Sequence, residues 1–349
     1  MAQTKTEELT EIEQRVEPCS LLLANLRKHP EFGVLVFFFI VFLAFSLVPV
    51  IRFGTNTFAT GTNLIGMFTL ISEWGIIAIG ATMLMISGEF DLSVGANYAV
   101  AGFLFSTLAN TGLHSLLALL LTLMFTTFVG FLNGTITLRA QIPSFITTLG
   151  MLGILKGVLL MITGGRSTRY LGDDIALNIL GQSFTTIVGG GGLRPSHLWF
   201  IALVVIFTYI LTRTGYGNWV YATGGNKVAA QVMGVNINRV KMTNFMVLGL
   251  LSGLAGSIAL SRFRLASPAF GSGLELEVIA AVVIGGTLLF GGSGTIIGTF
   301  LGTFLVAGMF RTGLLLAGAP GYWFRLFVGI TLIAAAVITM RVRGKDIGI

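Results

Sequence analysis

Long apolar runs alternate with short polar segments along almost the whole chain. Ten runs stand out, at 33–51, 64–87, 94–112, 114–138, 143–163, 197–213, 242–261, 276–290, 294–316 and 321–341. A helix needs about 20 mostly apolar residues to cross the hydrocarbon core of a bilayer. The pattern therefore predicts an all-α fold, a polytopic transmembrane helical bundle of about ten spans, with 276–290 short for the task. The segment 53–66 is polar and rich in Gly, Thr and Asn, and reads as an interfacial or re-entrant piece. Two glycine-rich breaks match in character: Gly88-Glu-Phe-Asp-Leu-Ser-Val-Gly95 and Gly291-Gly-Ser-Gly-Thr-Ile-Ile-Gly298. Each precedes a run containing an Ala-Gly pair, Ala101-Gly102 and Ala307-Gly308. Glycine-broken hydrophobic segments in two halves are expected of a transporter with internal repeats and broken helices. Two tight turns between ordinary helices are the plainer alternative.

Composition agrees with lipid as part of the solvent. Only 10% of the 349 residues are charged and 54% are hydrophobic, where a soluble chain carries about 25% charged residues. The 47 glycines suit close helix packing in a membrane. The net charge of +7 comes from residues scattered among the polar segments, so no contiguous basic patch exists for nucleic acid. With the N-terminus inside, the inner segments hold Lys5, Arg15, Arg27, Lys28, Arg139, Arg213, Lys227, Arg239, Lys241, Arg341, Arg343 and Lys345. The outer segments hold Arg52, Arg166, Arg169, Arg194, Arg262 and Arg264. Basic residues favour the cytoplasmic side, which predicts both termini cytoplasmic. The expected organisation is an N-terminal tail at 1–32, a transmembrane domain at 33–341 and a C-terminal tail at 342–349. The tail carries Glu7, Glu8, Glu11, Glu13 and Glu17, unlike the basic start of a secretory signal. Cys19 has no partner for an internal disulfide, and His29, His114 and His197 lack metal-ligand spacing.

Candidate chemistry is sparse. Asp91 precedes the run that restarts at Val94, where it can cap the next helix and meet its positive end; direct solute contact is the second reading. Glu89 lies in inner-side water or meets a Lys or Arg. Glu275 and Glu277 open the short run, where first-turn acids are favourable, and nothing nucleophilic accompanies them. Lys156, Arg311 and Arg325 fall inside predicted spans, where they snorkel or line an internal water path. No G-x-x-x-x-G-K-[ST], HExxH or GxSxG occurs, so the chain has no nucleotide site of its own and no set of residues for an enzyme. In the inner segment 214–241, Asn226 is placed to cap a short helix from Lys227 to Met233, with Gly234 as its stop. The outer loop 164–196 holds Asp173, Asp174 and the glycine run 189–192. A secondary transporter or channel, the alternative class, would need carboxylates in the middle of spans, and the sequence reading identifies none that is clearly central.

Five blocks carry a resemblance. They are Lys28-His-Pro-Glu-Phe-Gly33, Asp91-Leu-Ser-Val-Gly95, Gln141-Ile-Pro-Ser-Phe-Ile-Thr-Thr-Leu-Gly150, Tyr221-Ala-Thr-Gly-Gly-Asn226 with Ala229-Ala230 and Gly234, and Glu277 to Gly286 followed by Gly291-Gly-Ser-Gly-Thr295. In this order, across about 27–343, they resemble the ribose-type permeases of bacterial ABC importers, a group that includes branched-chain amino acid permeases. The resemblance implies a permease subunit of the inner membrane that moves a small polar solute, a monosaccharide or related polyol, by alternating access. It implies a second permease chain, identical or related, an extracytoplasmic solute-binding protein, and separate ATPase subunits that bind ATP, with no cofactor or metal on this chain. The ATPase-coupling residues would be Asn226, Lys227, Val228, Ala229, Ala230 and Gly234. The translocation path or its helix breaks would include Glu89, Asp91, Ser93, Gly95, Gly291, Gly292 and Ser293. The binding protein would meet Asp173, Asp174, Arg262 and Arg264. Two departures matter: Val228 stands where the family often has Glu in the coupling segment, with Lys227 adding a positive charge, and Glu89-Phe90 replaces Gly-Ile before Asp91.

Overall fold

The computed structural model describes residues 32–182 and 192–346, except the side chains of Ala335 and 338–346. The N-terminal tail, the first residues of its Lys28–Gly33 block, glycines 189–191 and residues 347–349 lie outside the described residues. The helices are α1 (Phe32–Phe53), α2 (Gly61–Ile86), α3 (Val94–Asn110), α4 (Ser115–Ala140), α5 (Ser144–Thr163), α6 (Ile175–Leu180) and α7 (Pro195–Arg213). After them come α8 (Gly215–Gly225), α9 (Lys227–Val232), α10 (Ile237–Phe263), α11 (Leu274–Ile284), α12 (Ile296–Leu316) and α13 (Tyr322–Asp346). The strands β1 (Thr168–Arg169) and β2 (Leu265–Ala266) pair antiparallel, Thr168 opposite Ala266 and Arg169 opposite Leu265.

Each of the ten expected spans has its helix. Seven are long and apolar enough to cross a membrane: α1, α2, α4, α5, α7, α10 and α12. The fold is an all-α polytopic membrane bundle. The run at 276–290 needs correction. Its helix, α11, has 11 residues and rises about 16 Å, half of a hydrocarbon core about 30 Å thick. Positive φ at Gly286, Gly291, Gly292 and Gly294 takes the following backbone out of helical geometry. The segment 53–66 is also not a separate interfacial element. α1 runs to Phe53, α2 starts at Gly61 on a Thr60 cap, and Phe58 between them is buried against Phe42 and Phe45.

Burial sorts the helices into centre and wall. In the apolar windows of α2 and α10, 72% of positions are buried, against 11% in α1, whose exposed Phe39, Ile40 and Leu43 make a lipid-facing surface. α10 packs on α2, α3 and α4. Lipid tails are as apolar as Leu, so helices associate through close packing and interhelical hydrogen bonds. Both are present. A Cβ at Gly253 would lie 2.0 Å from Thr126 Oγ1 on α4, and one at Gly256 2.2 Å from the Tyr98 carbonyl oxygen on α3. Ser252 donates to the Val94 carbonyl at 2.7 Å, and Asn244 Nδ2 donates to the Met83 carbonyl at 3.0 Å.

The close approach at Gly256 gives a direct test. Gly256→Val should destabilise by at least the about 1–3 kcal/mol typical of overpacking, since the obstacle is backbone. Gly153→Val, at a position with nothing within 4 Å, should leave thermal unfolding in detergent unchanged.

Candidate functional site

The two glycine breaks, far apart in sequence, come together at one end of the bundle. α2 ends at Ile86, and Gly88 turns the chain with φ of +82°. The Ile86 carbonyl then accepts the Gly292 N–H at 2.8 Å. A Cβ at Gly291 would lie 2.9 Å from Gly88 Cα. The end of α8 closes on the same point: a Cβ at Gly224 would stand 1.8 Å from the Ile86 oxygen and 2.7 Å from Gly292 N. The irregular backbone is satisfied by protein, as membrane depth requires. Tyr221 donates its hydroxyl to the Gly294 carbonyl at 2.7 Å, and the Ser293 carbonyl accepts the Leu288 N–H at 3.0 Å.

α9 hangs from this junction. Asn226 caps it, its side chain accepting the Ala229 N–H at 3.0 Å, and Gly234, with φ of +81°, follows the Met233 C-cap. The helix and both stops lie where the residue types place them. The preceding α8 was less legible, because four glycines in 215–225 argue against a helix and packing overrides them. Ala230 is buried beneath α9, while Val228, Val232 and Met233 are 72%, 82% and 82% exposed, an apolar face turned outward. Lys227 and Ala229 are exposed beside it.

Asp91 is buried in the turn between α2 and α3. Its Oδ1 accepts the Ser93 N–H at 2.7 Å and the Ser93 hydroxyl at 2.6 Å, and its Oδ2 accepts Asn133 Nδ2 of α4 at 2.9 Å. It therefore fixes the turn just ahead of α3. Two further hydroxyls hold the same turn: Ser144 accepts the Phe90 N–H and Thr148 the Leu92 N–H, both at 3.0 Å. The Gln141–Gly150 block thus grips the Asp91–Gly95 block. Gly95 opens α3 against Gly271, whose carbonyl oxygen would lie 2.2 Å from a Cβ there. Glu89 meets Lys241 of α10 in a buried ion pair, so the residue that departs from the family pattern has a cation waiting for it.

At the other end, β1 and β2 tie the loop after α5 to the loop after α10. Asp173 accepts hydrogen bonds from the hydroxyl and N–H of Ser115 at the start of α4 and from the Ile175 N–H. Those bonds, the Ser115 hydroxyl first, hold its carboxyl below the usual carboxylate range. Asp174 pairs with Arg264 at 2.9 Å, and both are half exposed. Arg262 points inward instead. Its Nε and NH2 grip Glu73 at 2.8 and 3.0 Å, and Tyr98 stands 3.5 Å from the same carboxylate. Glu73 is fully buried in the middle of α2. The sequence reading found no clearly central carboxylate; Glu73 is one, and it was hidden by apolar neighbours and a partner 189 residues away.

Glu73, Trp74, Tyr98 and Arg262 line a cavity of about 700 Å³ together with Glu277 of α11 and Arg311 of α12. Glu277 and Arg311 are 3.6 Å apart, and the guanidinium lies 4.7 Å from the Trp74 ring centre. Arg325 also lines the cavity, whereas Lys156 stays on α5 as an oppositely charged neighbour of Glu275. α12 contains a π-helical stretch, Phe304–Phe310, immediately before Arg311. Among the described residues no cluster of His, Cys, Asp and Glu could hold a metal.

Two outcomes follow. Lys241→Met strands Glu89 and should cost about 3–5 kcal/mol, as breaking a buried pair does; adding Glu89→Gln should recover most of it, read by thermal unfolding in detergent. Asp173 has a lowered folded-state pKa, so its contribution to stability is full above the unfolded value and is lost as pH falls through the folded one. Hydrogen exchange at the start of α4 should therefore rise below about pH 4, and Asp173→Asn should remove that acid-induced step.

The sequence comparisons agree with one another. The Ribose import permease protein RbsC of Bacillus subtilis (strain 168) is 32% identical over 294 residues, covering 84% of this chain and 89% of its own length. The Escherichia coli K12 protein of the same name is 31% identical over 295 residues, covering 84% and 90%. The Autoinducer 2 import system permease protein LsrC of Photorhabdus luminescens is 33% identical over 268 residues, covering 77% and 78%. No solved structure matches. Residues 63–336, from α2 into α13, match the family described as Branched-chain amino acid transport system / permease component, and the chain belongs to that family.

Proposed function

We propose that this chain is the membrane-spanning permease subunit of an ABC importer that carries a small polar solute, a monosaccharide or related polyol, across the bacterial inner membrane. The observation that carries the reading is the junction of α8 and α9 with both helix breaks. α9 offers Val228, Val232 and Met233 outward, and the chain just before it lies on the Ile86 carbonyl and the Gly292 amide. A push on α9 from a partner would reach the inner ends of α2 and α12 through backbone contact, with no flexible side chain between. That is the link an external motor needs, and the sequence has no nucleotide-binding motif of its own.

In this reading a separate ATPase subunit docks at Asn226–Gly234, with Lys227 and Val228 making the contact apolar and basic rather than acidic. Both termini and α9 lie on the cytoplasmic side, as the Lys and Arg distribution favours. The opposite end, strapped by β1 and β2, receives a solute-binding protein; Asp174 and Arg264 are the exposed charges there, and charged rims steer encounter. Asp173 and Arg262, engaged with Ser115 and Glu73, would act by holding that end in shape. A second permease chain, identical or related, completes the path. The sugar assignment rests on the ribose and autoinducer 2 import permeases among the relatives. A secondary transporter would use Glu73 as a coupling carboxylate, but Arg262 neutralises it through an ion pair and a hydrogen bond at 3.0 Å, which makes it a strut.

The test is reconstitution of this chain with its ATPase and binding protein in vesicles. Val232→Glu together with Met233→Glu should abolish ATPase co-purification and lower ATP-driven ribose uptake by about tenfold or more, as hot-spot loss at an interface does, while leaving thermal unfolding intact. Ribose uptake by this chain alone, without ATP, would overturn the proposal.

A further inference from the structure

The cavity under the β-strapped end contains two glutamate–arginine pairs that differ in kind. Glu73–Arg262 is closed: two contacts at 2.8 and 3.0 Å, with Tyr98 beside it and the guanidinium stacked 4.0 Å from the Phe263 ring centre. Glu277–Arg311 is open. At 3.6 Å it is longer than a charge-assisted hydrogen bond, about 2.7–2.9 Å, so the carboxylate keeps acceptor capacity and the guanidinium keeps donors. Arg311 is held in place by Trp74 at 4.7 Å and Phe324 at 5.4 Å, and its side chain is 43% exposed. Arg325 adds a third guanidinium to the same walls. The walls thus present two carboxylates and three guanidiniums with an aromatic backing, in a volume of about 700 Å³, within the about 300–1,000 Å³ of small-molecule sites.

We infer that this cavity is a solute-binding site within the permease itself, and that the open Glu277–Arg311 pair recognises a polyhydroxylated ring. This rests on the transport reading above and adds that the permease, as well as the binding protein, selects the solute. A carboxylate accepts from two adjacent hydroxyls, and a guanidinium donates to hydroxyl or ring oxygens, so one sugar edge can lie across the two groups and bond both through their cavity-facing atoms. A sugar has acceptors and donors all round, which matches walls where donors exceed acceptors. An aliphatic amino acid meets the pair with its carboxylate and ammonium, but its apolar side chain then faces the remaining charged lining, Arg325 included, and leaves it without partners, a costly state for charged groups. Glu73 and Arg262 are charge-paired with each other and act as positioning residues beside Tyr98.

The experiment uses the full chain in lipid nanodiscs, without ATPase or binding protein. Cys19→Ser with Ser272→Cys places one thiol on the cavity wall, where Ser272 is exposed. D-ribose should slow maleimide labelling of that thiol in a saturable manner, and L-leucine should not. Isothermal titration with D-ribose should show affinity reduced about tenfold or more by Glu277→Gln and by Arg311→Gln, as expected for hydrogen bonds to charged groups. Arg311→Lys, which keeps the charge and loses the fork, should give an intermediate loss. No protection by ribose, equal or better protection by leucine, or unchanged ribose affinity in folded Glu277 and Arg311 variants would overturn the inference. ATPase co-purification through α9 is scored separately, on the same chains expressed together with the ATPase. If it persists while ribose does not bind, the cavity assignment fails and the transport reading stands; if it is absent from the unmodified chain, the transport reading itself fails.

Discussion

At Gly224 there is no room for a side chain. The Ile86 carbonyl and the Gly292 amide occupy that space, so the end of α8, the end of α2 and the loop before α12 touch as backbone. Everything near α9 depends on this contact. Side-chain contacts can slip between rotamers, but backbone against backbone, closed by the Ile86–Gly292 hydrogen bond, moves as a unit. The break after α2 is further fixed by Asn133 of α4 and by Ser144 and Thr148 of α5, and Glu89 beside it is joined to Lys241.

The same economy governs the centre of the bundle. Burying a polar group without a hydrogen bond is costly, so polar side chains kept there tend to bond across helices. Ser252, Asn244 and Asn97 each donate to a carbonyl on another helix, and Glu73 is held by Arg262. α10 participates in nearly all of these contacts. It carries Lys241 near one end and Arg262 near the other, and both reach acids contributed by α2 or the turn after it. α2 and α10 are therefore fixed to each other at two levels separated by most of the membrane thickness.

Hydropathy alone made the spans legible, because lipid-facing runs such as α1 are apolar on every side. Capping chemistry made α9 legible, since Asn226 and Gly234 are local signals. Long-range partners were not. Arg262 counted as an outer-loop charge because it stands at the end of an apolar run, and nothing near it in sequence points to Glu73. Glu73 itself sits inside a run that reads as an ordinary span. The end of α11 is hidden for a related reason: residues 285–290 are apolar enough to continue a helix, and it is the positive φ of Gly286 that stops it, beside Gly285 packed on Gly298 of α12. Asn133 and Thr148 carry no local signal of their roles, because their partners Asp91 and Leu92 lie 42 and 56 positions away.

The π-helical stretch in α12 sets a phase. An α-helix advances about 100° per residue, and a wider turn absorbs an extra residue without advancing the helix by its usual angle. Everything after Phe310 is consequently rotated relative to a regular continuation from Ile296. Arg311 faces Trp74 and Glu277 because of that offset. A chain one residue shorter between Phe304 and Phe310 would span the same bilayer, yet would turn its guanidinium away from Trp74 and Glu277.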